Sequence, residues 1–160
     1  TYPYLDTRDE SKPYSWMFDT RGTEGWRGYM NYSIFKTYQG ALWFGMSGND
    51  PGMKSGMLTL PASEYNYLRL RIKNEGPMSD MYILFTREDS SSWGGTKKFR
   101  VPISGGDTKY KEYIVNLSSN EEWKRTITQF RVDPINPNGS ETVTADIYFD
   151  SIEFLPELPQ

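Results

Sequence analysis

Histidine and cysteine are both absent from this 160-residue sequence. That excludes imidazole general bases, thiolate nucleophiles, Ser-His-Asp triads, disulfides and the usual zinc sites. The groups left to do chemistry are aromatic rings, arginines and carboxylates. The rings are abundant: 5 Trp, 12 Tyr and 8 Phe, or 16% of the chain. Flat rings match the apolar C–H face of a pyranose. Planar guanidinium and carboxylate groups bond sugar hydroxyls in pairs, and arginine also pairs with sugar carboxylates. Strand alternation places such a mixture at outward positions: Trp43, Tyr67, Tyr82 and Tyr148 with Arg69, Arg71, Arg100, Arg131, Glu112 and Asn116. Trp43, Tyr82 and Tyr148 are expected as stacking platforms, with Arg69, Arg71, Glu112 and Arg131 as polar contacts. The seven converge on one groove if their strands share a sheet. The competing reading is a solvated sheet covered by rings and arginine stems. A loop rim is the alternative site, carried by Trp93 in Asp89-Ser90-Ser91-Ser92-Trp93-Gly94-Gly95 and by Tyr38. A ring in a Ser/Gly loop is costly to expose without a function. Trp26 and Trp123 read instead as packing residues at loop-to-strand entries.

The elements that position these residues are short strands. Alternation of period 2 recurs near 14–20, 41–47, 55–60, 66–73, 80–87, 97–103, 110–117, 127–133, 143–150 and 152–155, separated by clusters of Gly, Pro, Asn, Asp and Ser. About ten such strands predict an all-β fold, a two-sheet antiparallel sandwich or jelly roll. The core side is Leu42, Phe44 and Met46; Leu68, Leu70 and Ile72; Met81, Ile83 and Phe85; Tyr113, Val115 and Leu117; Phe130 and Val132; Ile147 and Phe149. Only residues 120–125 look helical, capped by Ser119 or Asn120. The length suits one domain over 1–160 with its core in 14–155, the Pro-bearing ends 1–13 and 156–160 running along the surface. No apolar run approaches the roughly 20 residues of a membrane helix, so no membrane partner is expected. A net charge of −3 does not suggest nucleic acid. The first residues, Thr-Tyr-Pro-Tyr, read as the start of an excised or processed domain.

The acids allow two further readings. In a jelly roll the first and last strands are neighbours, so Asp19 and Asp150 could meet. With backbone carbonyls they would suit a hard cation, calcium above all, and Glu24 or Asp146 could add oxygens. Ordinary surface acids are the alternative. For catalysis, Glu112 and Asp133 are an available pair of carboxylates. The Glu-x-Asp-x-x-Glu arrangement of jelly-roll glycosidases is absent. A small lyase or hydrolase and a structural or adhesive sandwich stay as alternatives to a binding module.

The order of several segments resembles a known family. Phe18-Asp19 leads to Thr23-Glu24-Gly25-Trp26, and Gly40-Ala41-Leu42 to Gly48-Asn49-Asp50-Pro51. Tyr67 to Asn74 and Tyr110-Lys111-Glu112-Tyr113 follow, then Trp123, Ile127 to Pro134, and Ile147-Tyr148-Phe149-Asp150-Ser151-Ile152. This order, over about 14–155, is similar to jelly-roll carbohydrate-binding modules of secreted bacterial polysaccharide-degrading enzymes, broadly families 4, 16 and 22. The resemblance implies a non-catalytic, extracellular module, monomeric within a multidomain enzyme, that holds its parent on a polysaccharide. It also implies a structural calcium mapping onto Asp19 and Asp150, although the family often has Phe-Glu where Phe18-Asp19 stands. The outward arginines point to an acidic glycan.

Overall fold

A computed structural model of the chain describes residues 14–19, 22–137 and 142–158. Residues 1–13 and 159–160, expected to run along the surface, and Asn138-Gly139 of the turn-forming Asn136-Pro137-Asn138-Gly139 cluster lie outside that set. Twelve strands are formed: β1 (Ser15–Trp16), β2 (Arg27–Met30), β3 (Tyr32–Tyr38), β4 (Ala41–Gly48), β5 (Gly52–Lys54), β6 (Leu60–Pro61), β7 (Tyr67–Asn74), β8 (Asp80–Arg87), β9 (Lys98–Pro102), β10 (Lys111–Asn116), β11 (Thr126–Ile135) and β12 (Val143–Leu155). They build two six-stranded antiparallel sheets. The first runs β10-β7-β12-β4-β3, with β1 also paired to β12; the second runs β2-β5-β11-β8-β9, with β6 on β11. This is the expected jelly-roll sandwich.

The alternation assigned the interior correctly except at Tyr113, which is half-buried against the edge of the core. Leu42, Phe44, Met46, Leu68, Leu70, Ile72, Met81, Ile83, Phe85, Phe130, Val132, Ile147 and Phe149 are all at most 2% exposed and join one cluster between the sheets. Burying each such side chain contributes roughly 1.5–3 kcal/mol. Trp26 and Trp123 are packing residues as expected. The Trp123 ring stacks on Phe154 at 6.0 Å, and its indole N–H donates to the carbonyls of Ala62 and Tyr65.

Four details differ from the sequence reading. Strands β2 and β3 had no clear alternation, because both are largely exposed edges and each pairing carries a bulge. The segment expected as a strand at 55–60 is instead an irregular link between β5 and β6, tied to β11 by Ser55 N–H to Phe130 O and Leu58 N–H to Thr128 O. The last two expected strands are one, β12, with a bulge between Phe149 and Ser151. The bulge reverses parity, so odd positions 147 and 149 and even positions 152 and 154 all face the core. Residues 120–125 form no helix. A 3-10 turn at Leu117–Ser119 is followed by a turn in which Asn120 Oδ1 accepts the Glu122 N–H at 2.9 Å. Six residues cannot repay helix nucleation.

Candidate functional site

The two sheets separate the residues expected to share a groove. Trp43 (β4), Tyr148 (β12), Arg69 and Arg71 (β7), Glu112 (β10) and Tyr38 (β3) belong to the first sheet. Tyr82 (β8) and Arg131 (β11) belong to the second, and Trp93 lies in the loop between β8 and β9. The single groove of seven is therefore two faces on opposite sides of the core. The same separation removes the catalytic pair: Glu112 is on the first sheet and Asp133 on the second.

On the second sheet, strand register aligns like charges. Lys54 on β5 lies opposite Arg27 on β2 and Arg131 on β11. Arg131 lies opposite Leu84 on β8, and Leu84 opposite Lys98 on β9. One row across all five strands thus carries four cations. Like charges directly opposite one another destabilise a sheet. Nearby rings offset that cost. Tyr29 lies under Lys54 (4.6 Å) and Arg131 (5.4 Å), Trp93 lies 5.3 Å from Arg131, and Tyr82 lies 4.7 Å from Lys98.

The next row fixes Arg131. Asp133 accepts two bonds from it, Nε to Oδ1 at 3.0 Å and Nη2 to Oδ2 at 2.8 Å. Asp133 is buried, and burial pushes its carboxyl above the ordinary carboxylate range, opposed by the Arg131 bonds and charge. Gly52 makes room for this clamp, since a Cβ there would stand 2.9 Å from Asp133 Oδ1. Beyond it, Arg100 donates to both oxygens of Asp80, and that bonding lowers the Asp80 carboxyl.

Buried cations pin the Trp93 loop. Lys97 is 5% exposed and donates to Ser90 O, Ser90 Oγ and Ser92 O at 2.6–2.8 Å; burial lowers its ammonium pKa. Arg87, also buried, bonds Asp89 Oδ1 and, across to the 117–122 turn, Glu122 Oε2. Trp93 is thereby held over Arg131 before any ligand arrives.

On the first sheet, ionic pairs occupy the expected polar contacts. Arg69 bonds Glu153 and lies 3.7 Å from Glu112; Arg71 pairs with Asp150 at 3.0 Å. These are cross-strand ties within the sheet. The rings do assemble: Trp43 and Tyr148 stack at 5.8 Å, and Tyr38 lies 5.4 Å from Trp43. Asp19 is exposed just beyond β1, and Asp150 accepts the Arg71 Nε–H through Oδ2 at 3.0 Å, so a calcium shared by these two would take the other Asp150 oxygen or displace the arginine. Asp146 accepts the Trp43 indole N–H at 2.7 Å, four residues from Asp150 along β12, and is not at that place. Glu24 is the buried acid at this end and accepts the Phe18 N–H. Among the described residues no group of three or more carboxylates gathers as a metal site.

Sequence reasoning missed Arg27, Lys54 and Lys98 as site residues, and reached Tyr29 only as one of the loop aromatics alongside Tyr32, Tyr38 and Trp93. Tyr29 carried a signal, an aromatic among loop-like residues. The lysines carried none, because a row across five strands exists only once the register is known.

No family model matches the sequence, and no curated protein matches it. The class that the architecture defines is the jelly-roll sandwich shared with carbohydrate-binding modules. In particular, the chain is similar to a family 28 module specific for non-crystalline cellulose, at TM-score 0.60 and 12% identity over 89% of this chain and 92% of that one. It is likewise similar to a family 11 module of a cellulosomal cellulase from Clostridium thermocellum, at TM-score 0.62 and 12% identity over 89% and 94%. The fold also recurs within the Endo-D glycoside hydrolase domain from Streptococcus pneumoniae, at TM-score 0.51 and 10% identity over 86% of this chain and 21% of that one.

Proposed function

We propose that the chain is a non-catalytic polysaccharide-binding module whose site is the outer face of the second sheet, and that its ligand is an acidic glycan. The row Arg27, Lys54, Arg131 and Lys98 carries this reading. A sheet optimised for stability alone would not align like charges; an anionic chain laid across the strands relieves the repulsion. Five strands about 4.8 Å apart give the row a length near 19 Å, enough for a short oligosaccharide. Trp93, Tyr29 and Tyr82 offer ring faces, while the guanidinium and ammonium groups meet carboxylates or sulfates. Asp133 and the pinned loop fix Arg131 and Trp93 in advance, which lowers the ordering cost of binding.

The similarity to carbohydrate-binding modules supports the general function, and the recurrence of the fold inside a longer hydrolase supports a role as an appended unit; that this unit is secreted and monomeric belongs to the same proposal. The calcium clamp on Asp19 and Asp150 is a separate proposal, concerned with stability and not with sugar. Affinity electrophoresis in gels containing polygalacturonate tests the main reading: retardation without release of reducing or unsaturated sugar is expected. Product release would make the domain an enzyme, and migration unaltered by any polysaccharide would leave it a structural sandwich.

A further inference from the structure

We propose that the outer face of the first sheet is a second, independent glycan platform that takes a neutral chain, so that the domain can bridge two different polysaccharides. The register builds it. Lys36, Trp43, Tyr148 and Lys73 lie side by side across β3, β4, β12 and β7. The lysines sit over the outer rings, Lys36 at 5.3 Å from Trp43 and Lys73 at 4.7 Å from Tyr148. Tyr38 adds a ring at one end, 45% exposed, and Tyr110 extends the row beyond Lys73 at 5.4 Å. At 5.8 Å between centroids and 25° between planes, Trp43 and Tyr148 form one continuous aromatic pair across β4 and β12. Lys36 is exposed and Lys73 half-buried on flexible stems, so a sugar ring can displace the ammonium groups and keep the aromatic row.

Trp43 is held in place. Its indole N–H donates to Asp146 Oδ1, and Gly45, opposite Asp146, leaves room for that carboxylate, since a Cβ there would stand 3.3 Å from Oδ1. Beside the row lies an open cavity of about 630 Å³ walled by Glu75, Pro77, Thr144 and Asp146 among others. Its carboxylates have acceptor capacity beyond the bonds just named, suited to sugar hydroxyls.

Charge selects the class of ligand. On this face Arg69 pairs with Glu153 and Glu112, Arg71 with Asp150, and Lys73 with Glu75. Asp146 adds a further negative charge. Arg69, Arg71 and Lys73 are matched by acids here, though Lys36 is not, whereas Lys54 and Lys98 on the second sheet have no acid partner among the described residues, so a polyanion gains less on this face and a neutral glycan meets rings and acceptors.

The test uses affinity gels of the intact chain in two sets: hydroxyethylcellulose, xylan and glucomannan as neutral probes, polygalacturonate as the acidic one. A neutral gel should retard the protein independently of salt. Trp43→Ala should weaken that retention about thirtyfold and leave the acidic gel unaffected, while Trp93→Ala should do the reverse. Wild-type protein on polygalacturonate beads should then capture the soluble neutral glycan, and neither variant should. If Trp43→Ala does not fold by circular dichroism, Tyr148→Ala and Trp43→Phe take its place. No retardation by any neutral probe overturns the second platform while leaving the acidic site intact. Loss of neutral binding in Trp93→Ala overturns it in favour of a single site.

Discussion

Replacing Lys54 by Gln separates a binding role for the cation row from a structural one. Lys54 stands between Arg27 and Arg131, and over Tyr29 at 4.6 Å. Removing its charge relieves two like-charge cross-strand pairs, each costing roughly 0.2–1 kcal/mol. It also forfeits a cation–π contact of about 0.5–1 kcal/mol. The two nearly cancel, so the melting temperature should move by no more than about 3 °C, given ~2–4 °C per kcal/mol for a chain of this size. Affinity for an anionic ligand should respond differently. One ammonium about 5 Å from one carboxylate in water is worth about 332/(80 × 5), or ~0.8 kcal/mol. That is close to a fourfold change in Kd. Isothermal titration with oligogalacturonate at low ionic strength should show this weakening, and it should shrink towards nothing near 1 M salt, where the screening length is about 3 Å. A large fall in melting temperature with unchanged low-salt affinity would refute the reasoning, because Lys54 would then be a structural group.

Three further predictions follow from the same geometry. Trp93→Ala should weaken binding of the acidic ligand by roughly thirtyfold with the melting temperature little changed, measured by titration beside Lys97→Ala, which should lose affinity through disorder of the loop. Asp133 has a carboxyl raised by burial. Its unfolded form ionises first, so its contribution is most favourable below the ordinary 3.8 and is lost as pH rises through the folded pKa. Thermal melts of Asp133→Asn between about pH 3.5 and 6 should therefore lack a pH-dependent loss that the unaltered chain shows; parallel curves would contradict the assignment. For calcium, a hundredfold excess over Kd stabilises by about 2.7 kcal/mol, so chelation should lower the melting temperature of the unaltered chain and not that of Asp150→Ala; no response to chelator removes the clamp.

Much of the fold was legible because one face of nearly every central strand is buried, and a one-residue slip there would expose Leu42, Phe44 and Met46 together. The exposed edges β2 and β3 escaped because no buried face imposes alternation on them. The β12 bulge left a trace, an apparent break between 150 and 152, since inserting one residue reverses which positions face the core. The site was legible only as an inventory. Trp43, Tyr148, Tyr82, Arg131 and Trp93 were identified as outward or loop residues, but outwardness does not say from which sheet. Sheet membership depends on long-range pairing, such as β11 with both β5 and β8, that no local pattern encodes. The same limit hid Lys54 and Lys98, whose meaning lies in their neighbours across the sheet.

The most direct test of the central claim is affinity electrophoresis of the pure domain against matched acidic and neutral polysaccharides at low and high salt, with product release assayed in parallel. Binding through the second sheet predicts retardation by the acidic polymer, reversed by salt and weakened in Lys54→Gln and Trp93→Ala, with no sugar released. Salt-independent retention on the acidic polymer that survives both substitutions would contradict it.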